Sequence, residues 1–165
     1  MPTATHHEKT FKSSVDVPEK ARQIEILNAR LADSTDLKTQ TKHAHWNVKG
    51  PTFYQLHELF DEIAPHFDDY ADLIAERVAQ IGGVANGTLR EAAATSSIPE
   101  YDLSAVNGTE HVKALVKNIG KFASLVRDAI DQTDELGDKD TADIFTEISR
   151  QVDKDLWFLE AHIQA

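Results

Sequence analysis

Residues 52–83 read TFYQLHELFDEIAPHFDDYADLIAERVAQIGG. Leu56, Leu59, Phe60, Ile63, Phe67, Tyr70, Leu73, Ile74, Val78 and Ile81 recur there in steps of three and four, the period of a helix with one apolar face. Thr52 with Gln55 three residues on reads as a capping box that starts the helix, and Gly82-Gly83 ends it. The result is one helix of about thirty residues, too long for a strand and too polar on its outer face for a membrane span. Pro65 lies inside it. Its ring removes the ladder bond to the Asp61 carbonyl at a cost of about 3 kcal/mol if uncompensated, so a kink is expected here rather than a break.

Working outward, Pro18 suits a first helical position, and Ile24, Leu27 and Leu31 follow at helical spacing, giving a first helix that runs to about Trp46. Lys49-Gly50-Pro51 breaks the chain between the two helices. Gly83 to Gly108 is a Gly-, Ser- and Ala-rich connection with a short helix around Leu89 to Ala94, long enough to cross a bundle from end to end. A third helix starts at Thr109, carries Val112, Val116, Ile119, Phe122, Val126 and Ile130, and closes near Gly137. The fourth runs from about Thr141 with Ile144, Ile148, Val152, Leu156, Leu159 and Ile163 on one stripe. There is no strand pattern and no internal repeat. Two short turns and one long crossover between helices two and three describe an all-α, ferritin-like four-helix bundle over residues 17–165, preceded by a polar, aperiodic segment, residues 1–16, expected to be a flexible tail.

The 165 residues, 27% of them charged, fit one domain. Seventeen Lys and Arg against twenty-eight Asp and Glu leave a formal net charge of −11, a field that repels nucleic acid and anionic membrane and attracts cations. The absence of Cys excludes disulfides, thiolate nucleophiles, iron–sulfur clusters and thiolate zinc sites, so any metal chemistry falls to His, Asp and Glu. No apolar run approaches a membrane span and no basic-then-apolar leader opens the chain, so the expected location is the cytoplasm.

Imidazoles and carboxylates are densest between His43 and Glu76, a donor mixture suited to iron, zinc or manganese. His57 and Asp61 are four residues apart, as are Asp72 and Glu76, and each pair presents two donors on one helix face. Asp61 and Asp72 are eleven residues apart, about 16 Å along a helix, whereas donors to one metal each sit about 2 Å from it. The two pairs therefore do not share a metal within one chain. Eleven steps of 100° nonetheless return Asp72 to within about 20° of the face of Asp61, so both pairs look into one surface. The four positions are also symmetric about a midpoint between His66 and Phe67. An antiparallel copy packed across a two-fold near that midpoint would set His57 and Asp61 of one chain against Glu76 and Asp72 of the other, making two identical intersubunit sites. His45, ahead of the tight turn, is placed to complete each. His43, His66, His111 and His162 have no such arrangement and read as surface or internally satisfied histidines, while His6 and His7 belong to the tail.

The stretches His45-Trp46-Asn47-Val48-Lys49-Gly50, His57-Glu58-Leu59-Phe60-Asp61 and Asp72-Leu73-Ile74-Ala75-Glu76-Arg77 with Gly82-Gly83 strongly resemble the Dps family, the mini-ferritins named as DNA-binding proteins from starved cells. The similarity continues through Thr141-Ala142-Asp143-Ile144 and Leu156-Trp157-Phe158-Leu159-Glu160, covering the chain from about residue 18 onward. The resemblance implies a hollow homododecamer with two-iron ferroxidase centres between two-fold-related subunits, holding Fe(II)/Fe(III) through His45, His57 and Asp61 of one chain and Asp72 and Glu76 of its partner, with zinc or manganese as competitors. It implies oxidation of Fe(II), preferably by hydrogen peroxide, storage of ferric mineral in the cavity, and protection against oxidative damage. Asp143 matches the acidic residue of the family's three-fold pore. Trp46, next to His45, is a candidate electron donor when only one iron is oxidised, set against a plain role as a packed aromatic.

Two departures qualify the resemblance. Family members that bind DNA often do so through a Lys-rich tail, whereas Lys9 and Lys12 here are balanced by Glu8 and Asp16. A dodecamer would carry about −130 formal charges, so DNA binding and nucleoid association are expected to be weak or absent at neutral pH, with protonation of His6 and His7 near pH 6 the one route to a cationic tail. Pro65 falls beside the inferred two-fold and bears on the spacing between half-sites. An intrachain di-iron oxidase, peroxidase or manganese catalase would need two Glu-x-x-His repeats on separate helices, and none stands in a helical position. A DNA-protecting or metal-buffering shell without turnover is the non-enzymatic alternative.

Overall fold

The structure is a computed structural model that describes residues 10–164; the expectations for His6 and His7 lie outside the described residues. It contains α1 (Lys20–Asn47), α2 (Phe53–Gln80), the short α3 (Leu89–Thr95), α4 (Gly108–Glu135) and α5 (Lys139–Glu160). Among the described residues there is no strand, only an isolated bridge that joins Lys49 and Asn107 and so brings the α1–α2 turn against the far end of the crossover. α1 packs along α2 and α4 along α5; α1 also meets α3 and α4, and α2 meets α5. This is the expected all-α, ferritin-like four-helix bundle, with the extra short helix in its crossover. No helix of the described residues is long and apolar enough to cross a membrane.

The helix ends follow local chemistry. α2 stops where Gly82 takes φ +89° and the Gly83 N–H reaches back to the Val78 carbonyl at 2.8 Å. α4 stops in the same way at Gly137, φ +87°, with the Asp138 N–H on the Thr133 carbonyl at 3.0 Å. The capping box, in contrast, is not where the sequence places it. Thr52 precedes α2 without any side-chain cap, whereas Asn107 and Glu110 exchange side-chain-to-backbone bonds at the start of α4. The reason is tertiary: Gly108 packs so closely that a Cβ there would lie 2.8 Å from the Thr52 hydroxyl and 2.5 Å from Leu56 Cδ1, so Thr52 is set against α4. α2 runs unbroken through Pro65, which is exposed and leaves the Asp61 carbonyl without its helical partner.

Phe60, Phe67, Phe122 and Phe145 are fully buried at the centre, with the Phe67 ring edge-on to Phe122 at 5.8 Å. Truncating any of them to Ala would cost about 3–5 kcal/mol. α1 buries more polar groups than the other long helices, because three elements pack against it. Asp33, fully buried, accepts from Arg30 Nε at 2.8 Å and from the Ser97 N–H at 2.6 Å, which fastens the crossover to α1. Arg77 of α2 binds both carboxylate oxygens of Asp138, at 2.8 and 3.0 Å, and the Thr141 hydroxyl at 2.9 Å, locking α2 to the start of α5. Ahead of α1, the Phe11 N–H bonds the Gly82 carbonyl at 2.7 Å and Ser13 Oγ bonds the Gln80 carbonyl at 2.5 Å.

Candidate metal centre

The α1–α2 hairpin brings His45, in the last turn of α1, beside His57, in the second turn of α2. Each ring bonds the other residue's backbone: Nδ1–H of His45 donates to the His57 carbonyl at 2.8 Å, and Nδ1–H of His57 donates to the His45 carbonyl at 2.9 Å. Carbonyl oxygens only accept, so each Nδ1 carries a proton and Nε2 is the nitrogen left to meet a metal. The rings stack with centroids 3.8 Å apart at 22°. Backbone bonding of the second ring nitrogen is how metal-ligating histidines are oriented.

Asp61, one turn beyond His57, lies 3.8 Å from His45 Nε2. Its carboxylate is taken by Lys42, at 2.5 Å, and that hydrogen bond holds Asp61 below the usual carboxylate range. Lys42 is also 5.7 Å from the centre of the Trp46 ring. The ammonium thus stands where a metal cation would draw on the same oxygen. Lys42 is a site residue that the sequence reading does not contain; its signal was a Lys three residues before His45 and one turn before Trp46.

The other half of the expected donor set is elsewhere. Asp72 and Glu76 are exposed further along α2, about 16 and 22 Å on from Asp61 by helix rise. Among the described residues no three His, Asp or Glu groups form a metal-holding cluster within one chain. The structure stacks His45 on His57 and sets Asp61 3.8 Å from His45 Nε2 without closing the three into a cluster, and it leaves Asp72 and Glu76 apart from them. Asp143 and Glu147 are exposed on α5. Asp155 on the same helix is buried, accepting from His66 Nδ1 at 3.0 Å and Gln151 at 2.9 Å, which removes it from any exposed acidic route.

The remaining histidines have partners within the chain, although the buried Nε2 of His111 makes no well-formed bond. His66 pairs with Asp155, His162 donates to the Phe158 carbonyl at 2.7 Å, and His111, fully buried, meets the Tyr101 hydroxyl at 2.6 Å. Trp46 is not packed within the chain: it is 69% exposed, which removes the packed-aromatic reading at the level of one subunit.

Residues 24–165 match the family model for the ferritin-like domain. The chain is 47% identical over 158 residues to a DNA protection during starvation protein of Agrobacterium fabrum, covering 94% of this chain and 98% of that one. Among solved structures it resembles DpsA14 from Streptomyces coelicolor, with TM-score 0.89, 32% identity and 96% and 95% coverage of the two chains. It also resembles Dps from Microbacterium arborescens in the high iron form, with TM-score 0.84, 33% identity and 92% and 99% coverage. Bundle, crossover and histidine–carboxylate hairpin together define a ferritin-like protein. Within that class the chain belongs to the Dps family of mini-ferritins.

Proposed function

We propose that the protein oxidises Fe(II) with hydrogen peroxide at two-iron sites between two-fold-related subunits and stores the ferric product inside a hollow dodecamer, in the cytoplasm, limiting oxidative damage. The observation that carries this reading is a donor set divided into two halves on one helix. His45, His57 and Asp61 lie together at the α1–α2 turn, while Asp72 and Glu76 share the face of α2 but stand about 16 and 22 Å along it from Asp61. A second chain in antiparallel register supplies what each half lacks. The Microbacterium relative is described in a high iron form, which supports iron as the cation.

The donors suit the reaction. Hard carboxylate oxygens favour Fe(III) over Fe(II) and so help drive oxidation, while two neutral imidazoles hold Fe(II) without trapping the product. At a full site two Fe(II) and one hydrogen peroxide, with two protons, give two Fe(III) and two water. Entry of the first Fe(II) displaces the Lys42 ammonium from Asp61, so a dication takes the place of a single positive charge and binds the carboxylate more strongly than the ammonium it replaces. Asp143, exposed near the start of α5, is the proposed acidic residue of the inlet for Fe(II) at the three-fold.

Stopped-flow absorbance of Fe(III) formation, after anaerobic loading with Fe(II) and addition of peroxide, tests this. Wild type should oxidise rapidly and Asp72→Asn/Glu76→Gln should lose the fast phase. Equal slow rates in both would instead favour a metal-buffering or DNA-protecting shell. The Agrobacterium relative's name speaks for the latter, but a net charge of −11 per chain opposes it, so little DNA is retarded at neutral pH.

A further inference from the structure

Tyr101 and His111 form a pair outside the donor set. The hydroxyl of Tyr101, in the crossover, lies 2.6 Å from Nδ1 of His111, in the first turn of α4. His111 is wholly buried and Tyr101 largely so. None of the other tyrosines is placed this way. Tyr54 is 68% exposed, and the buried Tyr70 hydroxyl has no well-formed partner and faces a carboxylate.

The protonation of the pair follows from its surroundings. Burial, with Asp102 nearby, keeps the Tyr101 phenol protonated. Burial and His43 hold His111 below the ordinary imidazole range, so the ring is neutral and has one nitrogen free to accept. The Asn47 backbone favours a proton on that ring, and Nε2, which makes no well-formed bond of its own, is the nitrogen left to carry it. Nδ1 is then the acceptor and the Tyr101 hydroxyl the donor. A phenol that loses an electron becomes a strong acid, and a base already in hydrogen-bond contact takes its proton as the electron leaves; His111 is that base. Asn47, Glu110 and Asp102 all favour the imidazolium that would form.

The pair lies across α1 from the proposed iron site, because His43 and His45 are two residues, about 200°, apart on that helix. The His43 ring meets the Tyr101 ring edge-on at 5.1 Å, and His43 is two residues before His45 on α1. Tyr101, His43 and Trp46 border one cleft of about 770 Å³ between α1, α3 and the crossover.

We propose that Tyr101 is a one-electron donor to the iron site and that His111 Nδ1 takes its proton. The role rests on the ferroxidase reading and concerns the moment when a site holds a single Fe(II). One Fe(II) supplies one electron to hydrogen peroxide, which needs two; without a second donor the other product is hydroxyl radical. With Tyr101, one Fe(II), one Tyr101–His111 pair, one hydrogen peroxide and two protons give one Fe(III), a neutral Tyr101 radical beside protonated His111, and two water. A second Fe(II) then returns an electron while the proton moves back from His111 to the phenolate oxygen, restoring the pair and yielding a second Fe(III). Over the cycle two Fe(II) and one peroxide are consumed and no hydroxyl radical is released.

The test loads the assembled protein anaerobically with about one Fe(II) per two chains, adds peroxide, freezes the sample within milliseconds and records electron paramagnetic resonance, with parallel spin trapping of hydroxyl radical. Wild type should show Fe(III) together with a tyrosyl signal. Tyr101→Phe, which keeps the ring, should lose that signal and raise the trapped adduct several-fold. His111→Gln should weaken the signal and change its solvent isotope effect, which a merely structural role of His111 would not do. Fe(III) formed without a Tyr101-dependent radical overturns the proposal. So does a tryptophanyl signal that survives Tyr101→Phe and vanishes in Trp46→Phe. Absence of Fe(III) from wild type defeats the ferroxidase reading and the donor role with it.

Discussion

Two inactive variants should restore one another. Asp61→Asn damages the half-site that contains His45 and His57, and Asp72→Asn/Glu76→Gln damages the other half. If each site draws one half from each of two two-fold-related chains, a mixed pair carries both lesions in one of its sites and none in the other. With random pairing of equal amounts, half of the pairs are mixed and one site in two of those is intact, so about one quarter of all sites are wild type. At other ratios the intact share follows the product of the two fractions and peaks at equal mixing. The geometry sets this expectation, because Asp72 lies about 16 Å along α2 from Asp61 and does not reach the same metal within its own chain. The assay is co-expression of differently tagged variants, tandem purification to prove co-assembly, and stopped-flow Fe(III) formation. About one quarter of the wild-type fast amplitude is expected, from parents that each show nearly none. Fast-phase amplitude that stays at the parental level in proven mixed assemblies would refute the division of the site between chains.

Three further outcomes follow from contacts in the structure. Replacing Lys42 with Met frees the Asp61 carboxylate from a half-exposed ion pair, so Co(II) titration followed by absorbance should show affinity raised a few-fold, and unchanged or weakened binding would mean that the ammonium does not compete with the cation. Asp138→Asn leaves buried Arg77 without its counter-charge and should cost about 3 kcal/mol by urea denaturation at pH 7. Thr141 and Arg77 hold Asp138 below the ordinary carboxylate range against the opposing effect of its burial, so its stabilisation is complete above about pH 4 and disappears as pH falls through the depressed value; the gap between wild type and variant should close on acidification. Gly108→Ala forces a methyl group against Leu56 and Thr52 and should lower stability by about 1–3 kcal/mol, measured by circular dichroism in denaturant.

What could be read from the sequence was what one helix determines. The apolar steps from Leu56 to Ile81, the glycines that close α2 and α4, and the split donor set all depend on a fixed rise and turn per residue, and no neighbour is needed to place them. The features that escaped depend on a second element. Thr52 has the residue type of a cap, but Gly108 of α4 presses on it, and the cap forms at Asn107 instead. Lys42 and Asp61 are nineteen residues apart and meet only because α1 lies along α2. Tyr101 and His111 belong to the crossover and α4, and the tight turn into α4 joins them. Asp155, one of several acidic residues on α5, is distinguished from its neighbours by its burial and by the His66 and Gln151 side chains that bond it. The polar residues of α1 are buried for the same kind of reason, since helix period says which residues share a face but not how many faces are covered.

The contacts of Phe11 and Ser13 fix more than a few residues of backbone. Gly82 has φ +89°, and a Cβ there would lie 2.4 Å from the Phe11 carbonyl oxygen, so the path of residues 11–13 depends on the bare backbone at that corner. Residue 10 is thereby set at the C-terminal end of α2, away from the His45–His57 turn at the opposite end of the helix. A peptide, dye or affinity tag joined at residue 10 starts from a fixed corner of the bundle, which makes this protein a scaffold for display at a defined point. Bulk at position 82 would scatter the attachment points and leave the helices in place.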